Sequence, residues 1–184
     1  MKTLFINASS RNTGNTNAFG ERVLEGIPHD TLHLIDYQLN FERDQRDTGD
    51  PQLDTTDDYE ALMTQFAAAD DIVIGTPVYW YNMTGQLKVF MDRWFDSKTN
   101  GFPFAGKRLY LLVVGADEPE TKATAITDSI KQSCDWLEMT FMGTATVTAD
   151  GPTDVASMTD LPANAQALRQ VLVMTVSRET PTLD

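Results

Sequence analysis

Short apolar runs alternate with segments of helical periodicity along this chain, and that alternation constrains its fold more than any other feature. The runs are TLFINA (3–8), TLHLID (31–36), DIVIGTP (71–77), RLYLLVVG (108–115) and FMGTATV (141–147). Continuously apolar runs such as residues 71–77 are typical of strands covered on both faces. Strands separated by helices need crossover connections, which are right-handed and join parallel strands. The sequence therefore predicts an α/β fold, a doubly wound five-stranded parallel sheet with helices on both faces.

Apolar residues at helical spacing fill the segments between these runs. The five predicted helices are marked by Phe19, Val23 and Ile27; by Tyr59, Leu62, Met63 and Phe66 after an N-cap at Thr56; by Leu87, Phe90, Met91 and Trp94 within residues 85–95; by Ile126, Ile130, Cys134 and Leu137; and by Leu161, Ala165, Leu168 and Leu172. Residues 37–56 form a polar connection with Gly49, Pro51 and no clear period. With no repeat or linker in view, we expect residues 1–184 to form a single domain.

Charge and cysteine content exclude several classes of protein. A formal net charge of -13 argues against nucleic acid and anionic membranes as partners, because both attract clustered Lys and Arg. A single cysteine, Cys134, allows no internal disulfide, and its helical spacing with Ile130 predicts a core position. The first apolar run is too short for a signal peptide or a membrane span. We expect a soluble cytoplasmic protein.

Three loops follow predicted strands at the edge of the sheet where doubly wound folds bind ligands. They are residues 8–16, 76–83 and 115–120. Acidic residues of the kind that a phosphoacceptor receiver domain needs are missing after the first strand, which offers Asn7 and Ala8. His29 and His33 have no metal-binding partner at useful spacing, so we predict structural roles for both and no metal site.

The first of these loops, SSRNTGNT (9–16), has the chemistry of a phosphate site. The helix that follows it exposes unpaired backbone N–H groups and the positive end of its dipole. The loop adds hydroxyls at Ser9, Ser10, Thr13 and Thr16, an amide at Asn15, close backbone access at Gly14 and a full charge at Arg11. It lacks the Gly-Lys-Ser/Thr ending of a Walker A loop. A polar turn that merely caps the helix is the alternative.

The second loop collects three aromatic residues where a solvent-facing loop would not normally hold them. Tyr79, Trp80 and Tyr81 follow Pro77 at a strand end. Such side chains suit the face or edge of a flat, partly apolar ring, and the backbone from Pro77 onward can present donors and acceptors to its rim. The alternative is that they pack against neighbouring helices or a partner subunit.

Two segments carry a resemblance to a known family: SSRNTGNT (9–16) and DDYEALMTQFAAADDIVIGTPVYWYNMTGQLKVFMDR (57–93). Together they resemble the flavodoxin-like NAD(P)H-dependent FMN oxidoreductases, the group that includes NADPH-dependent FMN reductases and iron-sulfur flavoproteins. The resemblance covers residues 1 to about 150 in element order. It implies the sheet order 2-1-3-4-5 and FMN bound non-covalently at the strand ends. It further implies phosphate ligands at Ser9, Arg11, Asn15 and Thr16, a flavin-ring loop at Pro77, Val78, Tyr79, Trp80 and Asn82, and a flavin approach at Gly115.

Two departures from related proteins refine this expectation. The iron-sulfur members carry a cysteine cluster in the connection after the second strand, and FERDQRDTGDPQLDTTDD (41–58) has no thiolate to bind iron. True flavodoxins share the acidity and the TGNT letters, but SSR, Asn12 and TPVYW (76–80) favour the reductases.

We therefore expect an enzyme that passes a hydride from NADH or NADPH to FMN and then electrons to a small acceptor such as a quinone, free flavin, nitro or azo compound. The hydride step needs no side-chain acid or base, so no catalytic residue is named. The alternative is an FMN-binding electron carrier that docks to protein partners without nicotinamide turnover.

The resemblance also implies a homodimer whose second subunit helps to wall the flavin site. Val89 and Phe95 make the third helix apolar beyond one stripe, which predicts burial on a second side. We predict an interface at this helix or at residues 79–83. The alternative is that residues 97–106 of the same chain cover Val89 and Phe95.

Overall fold

The structure is a computed structural model that describes residues 1–45, 47 and 54–178. Its sheet consists of the parallel strands β1 (Thr3–Asn7), β2 (His29–His33), β3 (Asp71–Pro77), β4 (Arg108–Gly115) and β5 (Thr140–Thr148). The strand order is β2-β1-β3-β4-β5. The predicted fold class and strand order are confirmed.

Helices cover both faces of this sheet. They are α1 (Asn15–Val23), α2 (Tyr59–Ala68), α3 (Gly85–Asp92), α4 (Trp94–Thr99), α5 (Pro119–Lys122), α6 (Thr124–Leu137), α7 (Asp154–Ser157) and α8 (Ala163–Arg178), with a 3₁₀ turn at Leu34–Asp36. Within the described ranges, no helix is long and apolar enough to cross a bilayer.

Several predicted boundaries are corrected. The second strand ends at His33, because residues 34–36 turn into the 3₁₀ helix. The predicted helix 85–95 is two helices that meet at Arg93. Asp58 rather than Thr56 precedes α2, and the last helix begins at Ala163, two residues after Leu161. Gly49 and Pro51 lie outside the described residues.

Successive residues of β1 point to opposite faces of the sheet, and each face has its own core. On one face, Leu4 and Ile6 belong to a cluster with the aromatic rings of α2, α3 and the segment before β4. On the other face, Phe5 packs with Phe19 of α1 and with residues of α8. Both faces are therefore dry, as a parallel sheet requires.

Helix α1 crosses the sheet at very close range. A Cβ added at Gly20 would stand 2.1 Å from the Phe5 ring, so only glycine permits this approach. Thr16, at the start of the same helix, is buried. This contact fixes the N-terminus of α1 at the edge where β1 ends.

Candidate functional site

The three loops predicted to bind a ligand do lie side by side. They follow β1, β3 and β4, which are neighbours in the sheet. Backbone bonds continue past the strand ends: the Ala8 N–H donates to the Gly75 carbonyl at 2.8 Å, and the Val78 N–H donates to the Val114 carbonyl at 2.8 Å. The loops thus leave the sheet as one continuous edge.

The first loop ends in a helix terminus without a side-chain cap. Gly14 precedes α1 with φ 132°, a conformation that L side chains rarely adopt, and it offers no cap of its own. The first N–H groups of any helix lack partners within the helix, so these donors are available to a ligand. The Arg11 guanidinium carbon lies 3.7 Å from the point where a Cβ on Gly14 would stand. A full positive charge therefore reinforces the positive end of the helix.

One buried side chain holds the first loop in shape. Asn7, fully buried at the end of β1, accepts a hydrogen bond from the Ser9 N–H through Oδ1 at 3.1 Å. Its Nδ2 lies 3.3 Å from the Arg11 carbonyl and 3.5 Å from the Asn12 carbonyl. The Ser9 hydroxyl in turn accepts from the Arg11 N–H at 3.3 Å. The loop is thus preorganised by its own chain.

Two asparagines tie the loop to its neighbours. Asn12 Nδ2 donates to both Asp36 carboxylate oxygens, at 2.9 and 3.0 Å, which joins the loop to the turn after β2. Asn15 Nδ2 donates to the Gly151 carbonyl at 2.6 Å, and its Oδ1 accepts from the Val155 N–H at 3.1 Å. The Asn15 side chain therefore holds the segment after β5, and any contribution of this residue to a phosphate falls chiefly to its backbone N–H.

The second loop folds into a tight turn that carries its aromatic rings outward. Tyr79 and Asn82 exchange backbone hydrogen bonds of 2.8 and 3.0 Å across Trp80 and Tyr81. Trp80 and Tyr81 have φ values of 50° and 62°, the left-handed conformation that a type I′ turn needs and that bulky residues seldom adopt. Trp80 is 94% exposed and Tyr81 63% exposed. The N–H groups of Val78, Tyr79 and Asn82 are bonded inside the protein, so the loop presents to a ring chiefly its aromatic side chains and the backbone at the tip of the turn.

Thr84 joins the second loop to the first. It is buried at the start of α3, where its hydroxyl accepts from the Leu87 N–H at 3.3 Å and donates to the Ala8 carbonyl at 2.8 Å. Its own N–H donates to Thr76 Oγ1 at 3.3 Å. One N-cap therefore fixes the distance between the two loops.

The third loop is close to the second. Gly115 is buried, and a Cβ there would stand 2.9 Å from Pro119 and 3.2 Å from Val78. Asp117 and Glu118, the following acidic residues, are exposed, and both contact Lys122. Gly115 contributes to the site by allowing this close approach, and a direct contact between Gly115 and flavin stays a prediction.

The residues at this edge fit the two ends of a flavin mononucleotide. An uncapped helix N-terminus beside an arginine suits a phosphate dianion. Three outward-facing aromatic rings on the next loop suit a flat conjugated ring. Of the predicted set, Ser9 and Thr16 are buried, Gly14, Asn15, Pro77 and Val78 are half-buried, and Ser10, Arg11, Tyr79, Trp80 and Asn82 are exposed.

Comparison with known proteins decides between the ligand classes that such an edge can serve. A sequence model of the NADPH-dependent FMN reductase family matches residues 1–154. The chain belongs to that family. The predicted family, enzyme class and cofactors, FMN and NAD(P)H, are thereby confirmed.

Individual relatives agree with this membership. The chain is 27% identical over 161 residues to a putative NAD(P)H-dependent FMN-containing oxidoreductase of Bacillus subtilis, with 84% of this chain and 89% of that protein covered. It is 30% identical over 135 residues to an iron-sulfur flavoprotein of Methanocaldococcus jannaschii, with 68% of each covered. Its fold is similar to that of the solved Trp repressor binding protein of Bacillus subtilis, with a TM-score of 0.72, 23% identity and coverage of 93% and 97%.

The sequence motifs located this reductase's loops but missed the residues that support them. Asn7, His33, Asp36 and Thr84 organise the site from outside the predicted ligand set. The sequence offered one indication of the role of Asn7, because it is a polar residue at the end of an otherwise apolar run. The others gave none, since their partners lie on elements remote in sequence.

Proposed function

We propose that this reductase binds FMN across the three loops and uses it to move electrons from NADH or NADPH to a small acceptor such as a quinone, free flavin, nitro or azo compound. The observation that carries the proposal is the uncapped N-terminus of α1 with the Arg11 guanidinium beside it, at the same edge as the outward-facing aromatic turn. Bound FMN supplies the redox chemistry, because its ring accepts a hydride and releases electrons again.

The first loop does the anchoring. The backbone N–H groups of α1 and the Arg11 charge bind the phosphate, and the hydroxyls of Ser9, Ser10 and Thr16 are its further donors. Asn7 keeps the Ser9 and Arg11 backbone in place through its buried amide. Because these hydrogen bonds within the chain already order the loop, FMN binding loses little affinity to loop ordering.

The second loop places the ring. The left-handed conformation of Trp80 and Tyr81 costs on the order of 1 kcal/mol or more for each residue, and strain of this kind is often retained at ligand sites. It turns the aromatic side chains of residues 79–81 away from the core, where they can cover a face or an edge of the flavin. No side chain of the chain has to give or take a proton for the hydride transfer, so we assign no catalytic residue.

A flavin titration tests this proposal. Deflavinated protein should bind one FMN per chain, with quenching of FMN fluorescence. Failure to bind FMN while another phosphorylated ligand binds would remove the proposed site.

A second experiment separates a reductase from an electron carrier. Under anaerobic conditions, NADPH or NADH should rapidly bleach the oxidised-flavin absorbance band, and a quinone should restore it over many cycles. A protein whose band stayed oxidised until a reductase protein was added would instead be a carrier, and a panel of quinone, nitro and azo compounds would identify the acceptor class.

We also propose that the protein is a homodimer with α3, α4 or the 79–83 loop at its interface. Phe95 of α4 is 42% exposed and stacks on Trp136 of α6, which is 53% exposed, with ring centroids 5.7 Å apart. Phe102 and Phe104, from the segment that was the alternative cover, instead pack around Phe66. Sedimentation equilibrium should give twice 20.5 kDa, and a mass that stays at 20.5 kDa at high concentration would exclude the dimer.

For the compartment, we infer the cytoplasm. Cys134 is a free, fully buried thiol on α6, and burial raises its pKa to about 12. Such a thiol is inert and places no demand on an oxidising environment. Native protein should resist thiol-specific reagents at Cys134 and react only when unfolded.

A further inference from the structure

The shape of the first loop depends on the orientation of one amide. Asn7 is fully buried, and its side chain contacts three backbone groups of the loop. A backbone N–H can only donate and a backbone carbonyl can only accept. The Ser9 N–H therefore requires Oδ1 on its side, and the Arg11 and Asn12 carbonyls require Nδ2 on theirs.

This orientation determines the protonation of a histidine on the neighbouring strand. Asn7 and His33 are paired in register on β1 and β2, and Asn7 Nδ2 lies 3.0 Å from His33 Nδ1. Since Nδ2 is a donor, Nδ1 must be the acceptor, so the His33 ring is neutral and carries its proton on Nε2. One Nδ2 hydrogen then bonds His33 and the other faces the two loop carbonyls.

We propose that His33 is a positioning residue for the FMN phosphate loop, that it acts through the Asn7 amide, and that only its neutral form can do so. The inference rests on the proposed placement of the FMN phosphate at residues 9–16. A proton on Nδ1 would point an N–H at the Asn7 NH₂ group. The amide would then lose its partner on β2 and face a repelling N–H there, which weakens its hold on the Ser9, Arg11 and Asn12 backbone.

Other charged groups near β2 are engaged with different partners. Glu21 of α1 contacts His29 at 3.6 Å and accepts a hydrogen bond from the Thr31 hydroxyl at 3.5 Å; both partners precede His33 on β2. In the turn after β2, Asp36 accepts two bonds from Asn12. Asp30, also on β2, pairs with Lys2 at 2.8 Å, Arg22 on α1 donates to the Val155 carbonyl, and the Tyr37 hydroxyl after the 3₁₀ turn accepts from Gln65. The loop adds Arg11, and at the position paired with His33 β1 presents the uncharged Asn7.

The second histidine provides a matched control. The sequence contains only His29 and His33, so an effect of histidine titration belongs to one of them. His29 lies at the start of β2, away from the loops, where its Nδ1 is 2.7 Å from the Ile27 carbonyl. His33→Asn is the conservative variant, because asparagine places an oxygen acceptor at the same number of bonds from Cα as Nδ1 and cannot titrate.

The experiment measures FMN and riboflavin dissociation constants by fluorescence quenching at about pH 8 and about pH 5.5, a range in which histidine changes charge. The proteins are the wild type, His33→Leu, His33→Asn and His29→Asn. At the higher pH, we expect His33→Leu to bind FMN about 3- to 10-fold more weakly, the effect of one hydrogen bond, while His33→Asn and His29→Asn stay near wild type. Riboflavin affinity should change much less, because it has no phosphate.

Acidification should then weaken FMN binding more in the wild type and in His29→Asn than in His33→Asn. The titration of the FMN phosphate itself is common to all proteins and cancels in this comparison. Thermal midpoints of the FMN-free proteins show whether each variant is folded, and if His33→Leu does not fold, the comparison of the wild type with His33→Asn carries the test.

Three outcomes would overturn the inference. Folded His33→Leu that binds FMN as the wild type does would remove the positioning role. Equal pH dependence in the wild type and His33→Asn would remove the requirement for neutral His33. Both results would leave the proposed function intact, whereas a wild type that binds no FMN at either pH would overturn the function and the inference together.

Discussion

Removal of one hydroxyl, by Thr84→Val, tests how the two loops that we propose bind FMN are held together. Thr84 is fully buried between them, and its hydroxyl makes two hydrogen bonds, to the Ala8 carbonyl at 2.8 Å and from the Leu87 N–H at 3.3 Å. Valine keeps the branched shape at Cβ and leaves little cavity. The substitution therefore removes polar contacts with a small change in packing.

The size of the effect follows from those two bonds. Loss of an N-cap costs about 1 kcal/mol, and a buried carbonyl left without its donor costs about 1 to 3 kcal/mol. We expect the free energy of unfolding to fall by about 2 to 4 kcal/mol, which is a large share of the ordinary domain stability of about 5 to 15 kcal/mol. Thr64→Val is the matched control, because the Thr64 hydroxyl donates only to the Glu60 carbonyl on the exposed side of α2.

Urea unfolding of the deflavinated proteins measures this difference, and FMN titration of the same samples measures its effect on the site. Thr64→Val should lie within about 0.5 kcal/mol of the wild type. The reasoning is refuted if Thr84→Val is equally mild. A destabilised Thr84→Val protein with unchanged FMN affinity would show that the contact serves folding but not the distance between the loops.

Three further predictions concern other contacts. Arg11→Ala should weaken FMN by about 1.5 to 3 kcal/mol and riboflavin far less, and equal losses in calorimetry would place Arg11 away from the phosphate. Burial raises the pKa of Asp57, but hydrogen bonds from Arg93 and two backbone N–H groups outweigh it and leave the pKa below its usual value. The stability that ionised Asp57 contributes is therefore complete above about pH 5 and is lost as the pH falls through its folded pKa. Asp57→Asn should lower the free energy of unfolding by about 3 to 5 kcal/mol near neutrality and reduce the fall of the urea midpoint at acid pH. An unchanged fall of the urea midpoint at acid pH would contradict this. Gly20→Ala should lower the free energy of unfolding by at least about 1 to 3 kcal/mol through overpacking against Phe5, and the thermal midpoint should fall with it, whereas Gly85→Ala, with nothing within 4 Å of its added Cβ, should leave the midpoint unchanged.

The strands and most helices were predictable because their signals are local. A fully buried strand such as β3 reads as an unbroken apolar run, and α6 repeats its apolar residues every three or four positions. The break between α3 and α4 was not predictable. It occurs at Arg93, whose side chain is 3% exposed and pairs with Asp57, thirty-six residues earlier. Periodicity cannot detect such a contact.

The same difference between local and long-range signals applies to the candidate site. The loops could be located because ligands of doubly wound sheets bind where the strands end, and the motif letters lie in those loops. The contact between Asn7 and His33 could not be foreseen, because it depends on the register of β1 against β2. The hydrogen bonds of the Asn15 side chain could not be predicted either, because its partners Gly151 and Val155 follow β5, more than a hundred residues away in sequence.

Helix α3 explains how so exposed a turn as Tyr79–Asn82 is held in one place. Its side chains at Tyr79, Trp80 and Tyr81 are exposed, so its position depends on β3 before it and on α3 after it. At the start of α3, Thr84 is bound to the carbonyl of Ala8 in the first loop. At the end of α3, Arg93 pairs with Asp57 and lies 4.0 Å over the Tyr59 ring, which anchors the helix to the connection after β2. Buried polar contacts thus fix α3 at both ends, and the helix holds the aromatic turn in place relative to the core. Through the ion pair with Asp57, the connection after β2, which has no cysteine cluster, supports the edge where we propose that FMN binds.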